Sequence, residues 1–208
     1  MSAEAVFAGI DLGGTKILVL IADDEGRVVG QARTPTQASQ GPDAVIGHIV
    51  DAVRAAADDA GIDLATIRAA GVSAPGPIDV AAGVITDPPN LPGWHNVPLA
   101  KILHERLGIP ILLENDANCQ GVAEHQFGAG RGFHHLLFIT VSTGIGGGVI
   151  LNDELYAGAS GAAGEVGHIG VSINGPACGA GHVGCLEAFA SGAAIAARAR
   201  EMIAAGGL

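Results

Sequence analysis

Asp11-Leu12-Gly13-Gly14-Thr15-Lys16 joins two apolar runs, Val6 to Asp11 and Ile17 to Ile21. Two strand-like runs parted by a Gly-Gly turn predict a β-hairpin. Glycines let backbone N–H groups come close to a phosphate, and Thr15 adds a hydroxyl. Asp11 is a candidate holder of Mg²⁺, directly or through water. Gly13, Gly14, Thr15 and Lys16 are therefore candidate phosphate ligands; the plainer alternative is an ordinary hairpin turn. The stretch is not a Walker A loop, because G-x-x-x-x-G-K-[ST] is absent. Nor is it a dinucleotide-binding fingerprint, because a strand and not a helix follows.

Working outward, the same device recurs. Leu136 to Val141 reads as a strand, Ser142-Thr143-Gly144 as a turn, and Gly147 to Leu151 as a second strand. Thr143 and Gly144 join the candidate phosphate ligands. Two such hairpins predict an α/β protein of two related halves facing one another across a cleft, residues 1–116 and 117–208, the second incomplete. Between them, Arg27 to Thr34 reads as a strand. Pro42 to Ala60 reads as a helix with Val45, Ile49 and Val53 on one face. Ala69 to Ser73 reads as a strand running into the rigid Ala74-Pro75-Gly76-Pro77. Asp87 to Trp94 is too rich in Pro and Gly for regular structure. Leu99 to Leu107 and Asp116 to Phe127 read as helices flanking a strand at Pro110 to Leu113. Glu187 to Leu208 reads as one Ala-rich helix.

The composition narrows the function classes. Of 208 residues, 49 % are hydrophobic and 15 % charged, enough apolar material for a folded core. The formal net charge of −11 repels phosphate backbones and anionic lipid, so neither nucleic acid nor membrane is an expected partner. The opening Met1 to Val6 lacks the basic region of a signal peptide, and no apolar run reaches the length of a span. Three cysteines make a poor disulfide framework and suit a reducing cytoplasm. Cys119 stands alone, whereas Cys178 and Cys185 share a Gly-rich loop and raise a metal hypothesis.

Seven stretches in series carry a family resemblance: Asp11 to Lys16, Ser73 to Pro77, Asn90 to Trp94, Glu114 to Asn118, Thr140 to Gly148, Glu165 to His168, and Gly184 to Glu187. In order and spacing the chain resembles the ROK family of repressors and sugar kinases, and within it the bacterial glucokinases. The resemblance implies an actin-like ATPase (ribonuclease H-like) fold, a homo-oligomer, and phosphoryl transfer from ATP with Mg²⁺ to the 6-hydroxyl of glucose. A kinase for an N-acetylated amino sugar or fructose, polyphosphate as donor, and a non-catalytic sugar-binding remnant stay open. A repressor of this family carries an N-terminal helix-turn-helix, and with the first phosphate hairpin starting by residue 11 none is expected here. The family's kinases are longer, so the chain is expected to be a fragment that lacks part of the adenosine-side wall and binds ATP weakly.

The resemblance also assigns roles. Asp116, at an expected strand-to-helix junction, corresponds to the family's general base; read alone, it is a helix cap. Asn90, Asn115, Asp116, Glu165, His168 and Glu187 correspond to sugar-pocket residues. His168, Cys178 and Cys185 match a family zinc site of one His and three Cys within C-x-C-G-x-x-G-C. Here the middle cysteine is Ala180. A structural zinc wants four ligands, so the fourth place falls to water or, against its place in the loop, to His182. The alternative for the two cysteines is a buried pair of free thiols.

Overall fold

The opening stretch forms the expected hairpin. Strands β1 (Val6–Leu12) and β2 (Lys16–Asp23) pair antiparallel, from Val6 opposite Asp23 to Leu12 opposite Ile17. The computed structural model describes residues 5–207, so Met1 to Glu4 of the opening and Leu208 of the tail lie outside them. The described residues divide into two compact units, the first ending at Asp116 and the second starting at Ala117.

In the first unit, β3 (Val28–Pro35), β4 (Ile67–Ala74) and β7 (Ile111–Asn115) complete a five-stranded sheet of order β3-β2-β1-β4-β7. β4 runs parallel to β1, and β7 parallel to β4. Two short strands, β5 (Ile78–Asp79) and β6 (Val84–Ile85), form a separate ribbon. Residue parity decides the faces: Ile17, Val19 and Ile21 are buried, while Lys16 is exposed. Helix α1 (Pro42–Ala60) buries Val45, Ile49, Val53 and Ala56, begins on a proline and ends at the left-handed Gly61. It crosses β3 at Gly30, where a Cβ would strike the Ala56 carbonyl and Ala60. Helix α2 (Leu99–Leu107) buries Leu99, Leu103 and Leu107, four residues apart. With Ile10, Leu12, Ile46 and the fully buried Trp94, these side chains make the core of this unit.

The second unit begins inside helix α3 (Asp116–Phe127) and continues with β8 (His135–Val141), β9 (Ile145–Leu151) and β10 (Glu154–Leu155), in the order β10-β9-β8. The hairpin closes with Thr140 opposite Gly146 and Val141 opposite Ile145. Gly146, Gly147 and Gly148 lie within β9, not in the turn. Their bareness admits α3: a Cβ on Gly148 would meet the Ala117 carbonyl at 3.0 Å, and one on Gly121 the Gly148 Cα at 3.3 Å.

The tail departs from the expected single helix. It is two helices, α4 (Leu186–Ala190) and α5 (Gly192–Ala204). Ser191 between them is extended, and its hydroxyl accepts the Ala194 N–H at 3.2 Å. A serine that caps a new helix ends the old one. Among the described residues no helix is long and apolar enough to cross a membrane.

Candidate functional site

Strand register sets the first group of residues. Asp11 on β1 lies opposite Ser73 on β4, and Ser73 lies opposite Glu114 on β7. All three stand at the carboxyl ends of parallel strands, the edge where open α/β sheets bind ligands. Asn115 ends β7 and Asp116 opens α3 directly after it, so the two are delivered to the same edge.

The Gly13–Thr15 loop is tied down locally. The Gly13 N–H donates to the Lys16 carbonyl at 3.0 Å. Thr36 donates twice, through its N–H to the Thr15 carbonyl at 3.0 Å and through its hydroxyl to the Gly13 carbonyl at 2.6 Å. Thr36 is fully buried and escaped the sequence reading. It follows β3 without a motif around it, so no local signal marks it. Asn90 packs on the loop: a Cβ on Gly14 would meet the Asn90 carbonyl at 3.0 Å and its Cβ at 3.2 Å. The Ser73–Pro77 segment likewise reaches Asn115, whose amide nitrogen lies 3.3 Å from where a Gly76 Cβ would stand. Lys16 departs from its loop neighbours, lining a surface hollow with Leu18, Gln31 and Arg33 on the outer face of β2 and β3.

In the second unit, Glu187 on α4 accepts the Ile145 N–H at 2.9 Å and fills the space a side chain on Gly144 would need. The amides of Gly192 and Ala193, at the start of α5, donate to the Ser142 and Thr143 carbonyls at 2.8 and 3.4 Å. Turn 142–144 is thus held by both tail helices. The role of Glu187 as a brace for Thr143 and Gly144 was not legible in its motif.

Glu165 precedes and His168 ends a short helical turn (Val166–His168), with Glu165 Oε2 3.9 Å from His168 Nε2. The other ring nitrogen, Nδ1, lies 3.6 Å from Cys178 Sγ. His168, Cys178, His182 and Cys185 bring one ligand atom each within 4.8 Å of one another. The loop folds His182 back beside the other three. Both thiols are buried, Cys178 at 8 % and Cys185 at 2 % exposure. Burial pushes the Cys185 thiol up, and Cys178 and Glu187 push it the same way. Two soft sulfur and two imidazole donors suit a zinc-type ion. Cys119 lies on α3, apart from this group of ligands.

Residues 7–205 match the ROK family. Thermotoga maritima glucokinase is 40 % identical over 193 residues, 93 % of this chain and 59 % of that protein. Among solved structures, a ROK hexokinase from Thermus thermophilus superposes with a TM-score of 0.86 at 41 % identity, covering 96 % of this chain and 64 % of that one. A ROK family glucokinase from Streptomyces griseus, in complex with glucose and AMPPNP, gives 0.81 at 36 % identity, covering 96 % and 62 %. The chain thus spans about three fifths of the length of the glucokinase it matches. The fold is the actin-like ATPase fold of the ROK sugar kinases.

Proposed function

The chain belongs to the ROK family, and from that premise we propose that it carries the base, the phosphate hairpins and the sugar-recognition residues of an ATP-dependent hexose kinase, with glucose as acceptor. The observation that supports this reading most is the register that aligns Asp11, Ser73 and Glu114 and sets Asn115 and Asp116 at the same sheet edge. The complex of the Streptomyces griseus relative with glucose and AMPPNP supports the choice of sugar and nucleotide.

In this reading Asp116 accepts the proton of the sugar 6-hydroxyl as that oxygen attacks the γ-phosphorus. The bond from phosphorus to the β–γ bridging oxygen breaks, and ADP leaves. Phosphoryl transfer asks mainly for positioning and charge stabilisation, and a positioned base contributes about 10²–10⁴-fold. The N–H groups of Gly14 and Thr15, and those of Thr143 and Gly144, are the phosphate donors, while the Gly13 N–H closes the turn onto the Lys16 carbonyl. Asp11 is the carboxylate that would hold Mg²⁺, which supplies charge neutralisation on the phosphates. Asn90 and Asn115 in the first unit, and Glu165 and His168 in the second, recognise sugar hydroxyls. Glu187 acts on the same chemistry by bracing turn 142–144. His168 turns one nitrogen to Cys178 and the other toward Glu165, so a metal on the cysteine side would fix the ring that faces the sugar.

The test is a coupled phosphorylation assay on the full-length protein, over glucose, fructose, mannose and N-acetylated amino sugars, with ATP and polyphosphate as donors. Turnover led by glucose with ATP supports the reading. Turnover led by an N-acetylated sugar would move the substrate assignment, and none with any pair would remove the kinase.

A further inference from the structure

We propose that His182 takes the place of the thiolate missing at Ala180, so that this chain binds a zinc-type ion through two Cys and two His. The loop geometry carries it. Ala177 bridges to Val183, the Cys178 N–H donates to the His182 carbonyl at 2.8 Å, and the Gly181 N–H donates to the Cys178 carbonyl at 2.9 Å. Cys178 to Gly181 is thus a tight turn at the tip of a small hairpin, and His182 stands directly across it from Cys178. Ala180 sits at the exposed tip. A ligand two residues later in sequence is therefore still beside Cys178 in space.

The second pair is built the same way. Cys185 bridges to Gly170, and the Leu186 N–H donates to the Ile169 carbonyl at 3.0 Å, which brings Cys185 beside His168. The rings of His168 and His182 meet edge to face, centroids 5.3 Å apart at 86°. Ligand atoms on a tetrahedral zinc lie about 3.3–3.8 Å apart, from bonds of about 2.0–2.3 Å. The four atoms here lie within 4.8 Å, and Cys178 Sγ and His168 Nδ1 already at 3.6 Å. Small side-chain rotations close the remainder. Imidazole and thiolate are interchangeable in structural zinc sites, so the exchange of Cys for His keeps four closed ligands.

The experiment is metal titration of the purified protein with Zn²⁺ and with Co²⁺, read by competition against a chromophoric chelator and by the thiolate-to-cobalt absorption band. It is run on the natural sequence, His182→Ala, His182→Cys, Ala180→Cys and the Ala180→Cys/His182→Ala double variant, with circular dichroism to confirm folding. The natural sequence binds one ion with the band of a two-thiolate site. His182→Ala weakens binding by at least about 100-fold, the upper end of what an outer-shell change costs. In the Ala180→Cys background the same His182→Ala change costs little, because a third thiolate completes the site. His182→Cys keeps the ion and raises the band in proportion to the added sulfur. No metal on the natural sequence, equal affinity in His182→Ala, or an equal loss in both backgrounds each overturns the proposal. None of these readouts involves sugar or ATP, so the result is independent of the kinase assay.

Discussion

Glu187 Oε2 accepts the Ile145 N–H at 2.9 Å, so α4 is fastened to the turn of the β8–β9 hairpin by a single carboxylate. A hydrogen bond to a charged group contributes about 1.5–3 kcal/mol. Glu187→Ala is expected to destabilise the protein by about that amount, and Glu187→Gln, which keeps an acceptor, by less. Gly144→Ala should resemble Glu187→Ala, because the new Cβ displaces the carboxylate. Denaturant midpoints check this; an unshifted midpoint for Glu187→Ala would show that the bond carries no stability.

Thr36 holds the first phosphate hairpin through its buried hydroxyl, 2.6 Å from the Gly13 carbonyl. Thr36→Val keeps the shape and removes the donor. It should cost about 0.5–1.5 kcal/mol and raise the KM for ATP in the full-length protein more than it lowers kcat. An unchanged KM would separate Thr36 from nucleotide binding.

Asp23 closes the turn from β2 to β3, accepting from the Glu25 and Arg27 N–H groups at 3.0 and 2.9 Å and from Arg27 Nε at 2.7 Å. The Arg27 side chain, followed by its N–H, holds the Asp23 carboxyl below its ordinary range. A lowered folded-state pKa adds stability that is complete above the unfolded value, about 4, and is lost as pH falls through the folded value. The Tm gap between the protein and Asp23→Asn should be widest near neutrality and close on acidification below about pH 4. A gap that widens in acid would reverse the sign of the argument.

Much of the first unit was legible in the sequence because its signals are local. Val45, Ile49 and Val53 mark α1, the Gly-Gly turn marks the β1–β2 hairpin, and the Pro-rich segments mark the loops. The motif residues at the sheet edge were legible as types; their alignment, Asp11 to Ser73 to Glu114, comes from strand register, which no single motif encodes. The tail helix was misread because alanine favours a helix throughout, and one serine with the right backbone decides the break. The nearness of His182 to Cys178 is not legible from its position in a loop, because it depends on hairpin register, the pairing of Ala177 with Val183. The bond from Ile145 to Glu187 spans 42 residues, beyond any local pattern.

The site at His168 predicts a coupling between metal and sugar. His168 lies 3.6 Å from Cys178 through Nδ1 and 3.9 Å from Glu165 through Nε2. Chelation of the purified full-length protein should weaken glucose binding about 10–100-fold, the range for loss of an outer-shell partner, and lower the Tm. Readdition of Zn²⁺ should restore both. Glucose affinity indifferent to chelation would uncouple the two sites.

The central claim is that Asp116 is the base of a sugar kinase, and the most direct measurement is the Asp116→Asn substitution in the full-length protein, with kcat from the coupled assay and glucose affinity from calorimetry. Asparagine keeps the size of the side chain and its hydrogen bonding but cannot take the proton. The account predicts a loss of about 10²–10⁴-fold in kcat with glucose affinity changed far less. A variant that keeps half the activity, or one whose loss lies wholly in glucose binding, would contradict it.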